Sequence, residues 1–187
     1  MISKYAIKNA VFGKEIRDFR KKHSLSKADL ATLLNVSSRT IEGWEASNNE
    51  ISGPIVLLLR LLDENPEFID NLVIPEMKSG LRLHYMENGN INTVIDVDML
   101  NRKVSFKNYT NNIIKRAFGN RESVTYEEYE KFLESRCFPS SRDKLKIELE
   151  KLEIPYYDPL LIIEKTKGRM ADDDLYIEII RGGKWLN

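Results

Sequence analysis

The stretch Leu25-Ser26-Lys27-Ala28-Asp29-Leu30-Ala31-Thr32-Leu33-Leu34-Asn35-Val36-Ser37-Ser38-Arg39-Thr40-Ile41-Glu42-Gly43-Trp44-Glu45 decides the architecture of the N-terminal part. Leu30, Leu33 and Leu34 recur at the spacing of one helix face, and Ile41 and Trp44 resume that spacing after a break. Ser26 with Asp29 three residues on reads as a capping box. Asn35 tolerates the left-handed backbone that a tight break needs, and Ser37 stands where the next helix wants its cap. Two short helices joined by a tight turn are the expectation.

The same period extends outward, through Phe12, Ile16 and Phe19 on one side and Val56, Leu59 and Leu62 on the other. Ser52-Gly53-Pro54 puts a proline near the start of a fourth helix. No strand is expected between Phe12 and Leu62. Pro66, Pro75 and Gly80 punctuate the following segment, which also holds Phe68, Ile69, Leu72 and Val73, so a short helix and a domain boundary near 66–75 are expected there.

Beyond it the period falls to two. Leu81, Leu83 and Tyr85, then Thr93, Ile95 and Val97, then Val104 and Phe106 alternate, with turns at Asn88-Gly89-Asn90 and Leu100-Asn101-Arg102, which predicts a three-stranded antiparallel meander. Helical spacing returns at Ile113, Ile114, Ala117 and Phe118, again at Tyr126, Tyr129, Phe132 and Leu133, and a third time from Ser140 to Leu152. Leu175, Ile177 and Ile179 alternate like a final strand. The fold class is therefore α+β: an all-α N-terminal domain over 1–70, and over 76–187 a mixed domain with a meander and about three helices.

Composition narrows the function classes. The chain has 187 residues, 42% of them apolar and 31% charged, an ordinary globular balance. Its longest apolar run, Ile55 to Leu59, is too short to span a bilayer, and Ser3, Lys4, Lys8 and Asn9 interrupt any signal core, so a cytoplasmic protein without membrane contact is expected. The single Cys137 excludes an internal disulfide, and His23 and His84 are the only histidines, which leaves few ligands for a structural metal. Lysines and arginines balance aspartates and glutamates at 29 each. Lys4, Lys8, Lys14, Arg17, Arg20, Lys21, Lys22 and Lys27 nevertheless all precede Asp29, with only Glu15 and Asp18 against them, which predicts a local positive face.

A helix-turn-helix needs its first helix packed across the second, so that the second projects polar side chains from its N-terminal turn into a major groove. Ala31 is small where the helices would cross; Leu30, Leu34, Val36, Ile41 and Trp44 supply the apolar positions. In order and spacing, Leu25 to Ala31, Leu34 to Ser37, Thr40-Ile41 and Trp44-Glu45 resemble the lambda-repressor-like, Xre-type helix-turn-helix family, over about Phe12 to Leu62. The sequence departs from that family at Lys27, where glutamine is frequent, and at Asn35 and Ala46, where glycine is. The resemblance implies double-stranded operator DNA as partner, with Ser37, Ser38, Arg39 and Thr40 opening the recognition helix and Lys27 starting the helix before it. Arg39 then suits bidentate hydrogen bonds to guanine, and the others suit phosphates or single base edges. Ser37 fits a pure helix cap equally well.

Ser52-Gly53-Pro54 followed by Leu57-Leu58-Leu59-Arg60-Leu61-Leu62 is similar to the tail of those Xre-like proteins that act as antitoxins. That similarity implies a homodimer that represses its own promoter and masks a toxin protein through residues after 75. The alternative is a phage or chromosomal Xre-like repressor whose C-terminal domain senses a ligand or dimerises. In that domain Arg136, Arg142 and Arg169 suit ion pairs with the Asp172-Asp173-Asp174 run or capture of an anion, and Arg169, Asp172 and Asp173 are the candidate partner-binding residues. Three adjacent aspartates point in different directions and seldom converge on one ion without a fourth partner, Cys137 has no histidine near it in sequence, and no glycine-rich phosphate loop occurs. No cofactor and no enzymatic activity are expected.

Overall fold

A computed structural model describes residues 5–182. The chain divides into two compact units, the first reaching Val73 and the second beginning at Ile74. The architecture is α+β, with helices dominating the N-terminal part.

The first unit runs β1 (Ala10–Val11), α1 (Gly13–Lys22), α2 (Lys27–Leu33), α3 (Ser38–Ala46), β2 (Ile51–Ser52), α4 (Pro54–Glu64) and α5 (Pro66–Leu72). Each helix buries one stripe: Ile16 and Phe19 from α1, Leu30 and Ala31 from α2, Ile41 from α3, Ile55, Val56, Leu59 and Leu62 from α4, and Ile69 from α5 meet in one core. Pro54 and Pro66 open α4 and α5, where a missing N–H costs nothing. The absence of strands expected between Phe12 and Leu62 is corrected by β2, which pairs antiparallel with β1 just ahead of that stretch, Ala10 opposite Ser52 and Val11 opposite Ile51. Two residues per strand are too few for an alternating period to register in sequence.

The second unit contains β3 (Leu81–Glu87), β4 (Asn90–Asp98), β5 (Lys103–Asn108), α6 (Tyr126–Ser135), α7 (Leu145–Lys151), α8 (Pro159–Thr166) and β6 (Leu175–Arg181). The strands form one antiparallel sheet ordered β5-β4-β3-β6, so the expected meander is joined on its β3 side by the last strand. Leu81, Leu83, Tyr85, Ile95, Val97 and Ile177 pack with Tyr129, Phe132 and Leu133 of α6 and Ile162 and Ile163 of α8.

Three helical expectations change here. Ile113 to Phe118 shrink to a 3₁₀ turn at Ile113–Lys115, because the Ala117 N–H donates to Thr93 Oγ1 at 3.2 Å and Gly119 turns left-handed. The helix expected from Ser140 starts only at Leu145, since Lys144 holds a positive φ of 61°. Leu160 to Ile163, assigned to no element from sequence, lie in α8, which Pro159 opens and Asp158 caps through the Leu161 N–H at 3.0 Å.

Close approach sets the geometry of the first unit. A Cβ at Gly13 would stand 2.1 Å from the Trp44 carbonyl oxygen and 2.9 Å from that of Ser47, so α1 begins against the backbone that ends α3. Gly13→Ala gains about 1 kcal/mol of helix propensity but must displace backbone, and the expected net effect is a loss of roughly 2 kcal/mol or more in chemical denaturation. A fragment ending at Pro75 is expected to melt cooperatively with helical circular dichroism, since the described residues of the first core run from Val11 to Ile69.

Candidate nucleic-acid interface

The segment from Ser26 to Ala46 is fixed at each junction by its own side chains. Ser26 Oγ accepts from the Asp29 N–H at 3.0 Å while Asp29 Oδ2 accepts from the Ser26 N–H at 2.8 Å. These bonds to Ser26 hold the Asp29 carboxyl below its ordinary pKa. After α2, Asn35 turns left-handed at φ 52°, and the Val36 N–H returns to the Ala31 carbonyl at 2.9 Å. Ser37 then caps α3, accepting from the Thr40 N–H at 3.0 Å, and its hydroxyl also lies 2.8 Å from Thr40 Oγ1.

The five sequence-derived residues of this face divide by what they touch. Ser37 and Thr40 engage each other. Lys27 meets Glu42 on α3 at 3.3 Å, both side chains largely exposed, an ion pair worth about 0–1 kcal/mol that a phosphate can replace. Ser38 and Arg39 are exposed in the first turn of α3 and have no hydrogen-bond or ion-pair partner among the described residues. The guanidinium of Arg39 is thus free to meet an external acceptor.

Most of the positive run that precedes Asp29 is neutralised internally. Lys8 pairs with Glu15, Arg20 with Glu45, Lys22 with Asp63 and Lys27 with Glu42. Among the described residues of this unit Lys14, Lys21 and Arg39 have no acidic partner. The expected local positive face is therefore reduced to separate points.

The deepest of these pairs was not legible in the sequence. Glu45 is buried at the end of α3, where Arg20 of α1 grips both carboxylate oxygens at 2.6 and 3.2 Å and also donates to the Leu25 carbonyl at 3.1 Å. Arg17 donates to the Glu45 carbonyl oxygen. The fork satisfies the carboxylate and stitches α1, the loop before α2, and α3 together. Hydrogen bonding to Arg20 lowers the Glu45 pKa. A spacing of arginines at i and i+3 on α1 was the only signal, and it reads equally as a solvated face.

In the second unit the candidate partner-binding residues have separate surroundings. Asp173 is bound on both oxygens by the buried Arg136, at 2.5 and 2.9 Å, and Arg136 also donates to the carbonyls of Gly168 at 3.0 Å and Leu175 at 2.8 Å. Arg136 lowers the Asp173 pKa, and Asp173 is thereby a clamp on the turn that leads into β6. Arg169 stacks 4.4 Å over the Tyr176 ring, while Asp172 is exposed. Cys137 is buried, and burial pushes its thiol up to about 12, so it stays protonated near neutral pH. Among the described residues no group of three His, Cys, Asp or Glu side chains is placed to hold a metal ion. No described helix is long and apolar enough to cross a membrane.

No protein-family model matches the chain. Over 58 residues, 31% of its length, it is 36% identical to antitoxin HigA-2 of Vibrio cholerae serotype O1. The match takes in 56% of that protein, so the chain spans about half the length of the curated relative it resembles.

The Arg20–Glu45 pair makes the first unit pH-sensitive in a defined sense. Because the folded Glu45 pKa is depressed, its contribution is complete above the unfolded carboxylate value near 4.5 and is lost as pH falls through the lower folded value. Glu45→Gln is expected to lower stability by about 2 kcal/mol at pH 7, with the gap to the parent protein closing below pH 4 in urea melts.

Proposed function

We propose that this protein is a sequence-specific DNA-binding regulator of the antitoxin type, which represses transcription from its own promoter and neutralises a toxin protein through its second unit. The observation that carries the DNA-binding part is the first turn of α3. The side chains of Ser38 and Arg39 stand exposed without partners among the described residues, on a helix whose start is capped by Ser37 and whose end is locked by Arg20. Such a turn is preorganised, so an entering duplex orders few side chains and the guanidinium fork can meet a guanine edge. The likeness to an antitoxin supports the toxin as protein partner. A homodimer on a palindromic operator completes the reading, because two recognition turns one helical repeat apart match successive major grooves. No catalytic step is part of it.

Binding to the DNA upstream of its own gene, compared with a shuffled fragment at two salt concentrations, tests the proposal. Preference for the native fragment is expected, with affinity falling as salt rises in proportion to the phosphates contacted. Equal affinity for both fragments would refute autoregulation. Arg39→Ala is expected to cost about 1–3 kcal/mol on the native site and much less on the shuffled one. Lys27→Ala should weaken both alike and flatten the salt dependence.

A further inference from the structure

One face of α3 is exposed along the whole helix. Ser38, Arg39, Glu42, Gly43 and Ala46, spaced one, three and four residues apart, form it, while Ile41 and Glu45 are buried on the other side. The face opens with Arg39 and carries a single acid, Glu42.

An acid is out of place on a surface that meets a polyanion. Repulsion from the phosphates weakens the contact unless the carboxylate gains a donor in return. Within the chain Glu42 meets Lys27 of α2 at 3.3 Å, and both side chains are largely exposed, so the pair adds little to the fold. Once Lys27 turns to a phosphate, the Glu42 oxygens are left with unused capacity to accept hydrogen bonds. In a major groove the groups that donate to a carboxylate are the exocyclic amino groups of cytosine and adenine. Adenine sets its N7 acceptor beside the amino group, where it repels the second carboxylate oxygen, whereas cytosine has no acceptor on that edge. The carboxylate therefore matches cytosine.

The next residue gives α3 room to come that close. A Cβ built on Gly43 meets nothing within 4 Å, so no packing among the described residues asks for glycine there. Glycine inside a helix lowers its propensity to form, and no contact of the first unit offsets that loss. A helix with its side chains is about 10–12 Å across, and the major groove is about 12 Å wide. The fit is close, and the bare strip at Gly43 and Ala46 narrows α3 beside Glu42.

We infer that Glu42 is a base-reading residue, which accepts a hydrogen bond from the N4 amino group of a cytosine while Lys27 moves to a phosphate, and that Gly43 leaves the space in which α3 approaches. The cytosine lies close to the guanine that Arg39 meets. Three residues advance a helix by about 4.5 Å and one base-pair step advances a duplex by about 3.4 Å, so the two bases are about one or two pairs apart. The inference rests on the proposed binding of α3 to operator DNA, and it adds part of the operator's sequence.

The test uses the full chain and its variants to select duplexes from a random-sequence library, and the enriched sites are sequenced. The parent protein is expected to enrich a motif with two G·C pairs at that separation. Arg39→Ala should loosen one of them. Glu42→Ala should loosen the other, its preference over the remaining pairs falling about tenfold or more. Glu42→Gln should exchange that second pair for A·T, because a glutamine amide donates to adenine N7 and accepts from its N6 amino group. Glu42 is exposed, so both variants should melt as the parent does. Gly43→Leu should unfold at a higher urea concentration, leucine being the better helix former, and yet bind the parent's site about tenfold more weakly. The inference is overturned if Glu42→Ala enriches the parent's motif unchanged, if the pair it loosens is A·T or lies more than two pairs from the one Arg39→Ala loosens, or if Gly43→Leu binds as tightly as the parent. These outcomes are distinct from failure of the proposed function: a parent that enriches no motif refutes sequence-specific binding itself, and the inference with it.

Discussion

The first unit depends on the approach of α1 to the end of α3. Gly13 allows the start of α1 to rest on the Trp44 and Ser47 carbonyls with no room for a methyl group. Arg20, two turns further along α1, closes on Glu45. Together these contacts fix the tilt of α3, and the turn that carries Ser38 and Arg39 is the far end of that rigid lever. A buried carboxylate is costly unless its charge is met in full, and the bidentate fork meets it.

Local signals in the sequence were legible wherever a residue acts on its near neighbours. Ser26 with Asp29, the left-handed Asn35, Ser37 as cap and Pro54 as first helical residue each do in the structure what their chemistry suggests. The meander was equally readable, because its alternation and its Asn-Gly turn are local. What escaped was set by distant partners. The β1–β2 ladder joins residues far apart in the unit, and Ala117 gives its N–H to Thr93 in place of a helix.

The charged residues teach the same point from the other side. A run of lysines and arginines counts as a positive face only while its partners are unknown, and Glu45, Asp63 and Glu42 lie well beyond that run in sequence. In the second unit Asp172, Asp173 and Asp174 look alike, yet Asp173 is held by Arg136, while Asp172 and Asp174 are exposed. Adjacent residues on a turn face different surroundings, so a run of like charges is a poor guide to a shared role.

The placement of β6 also orders events in time. Its partner β3 opens the second unit and β6 comes near its end, so Leu81 has no neighbour on that side until Arg181 has been synthesised. The helical unit is complete by Val73 and can fold while the second is still being made. During each round of translation the chain thus passes through a stage in which the first unit is folded and the sheet is still one strand short. In that interval β3 itself offers an unpaired edge, and the late arrival of β6 is what withdraws it from other chains.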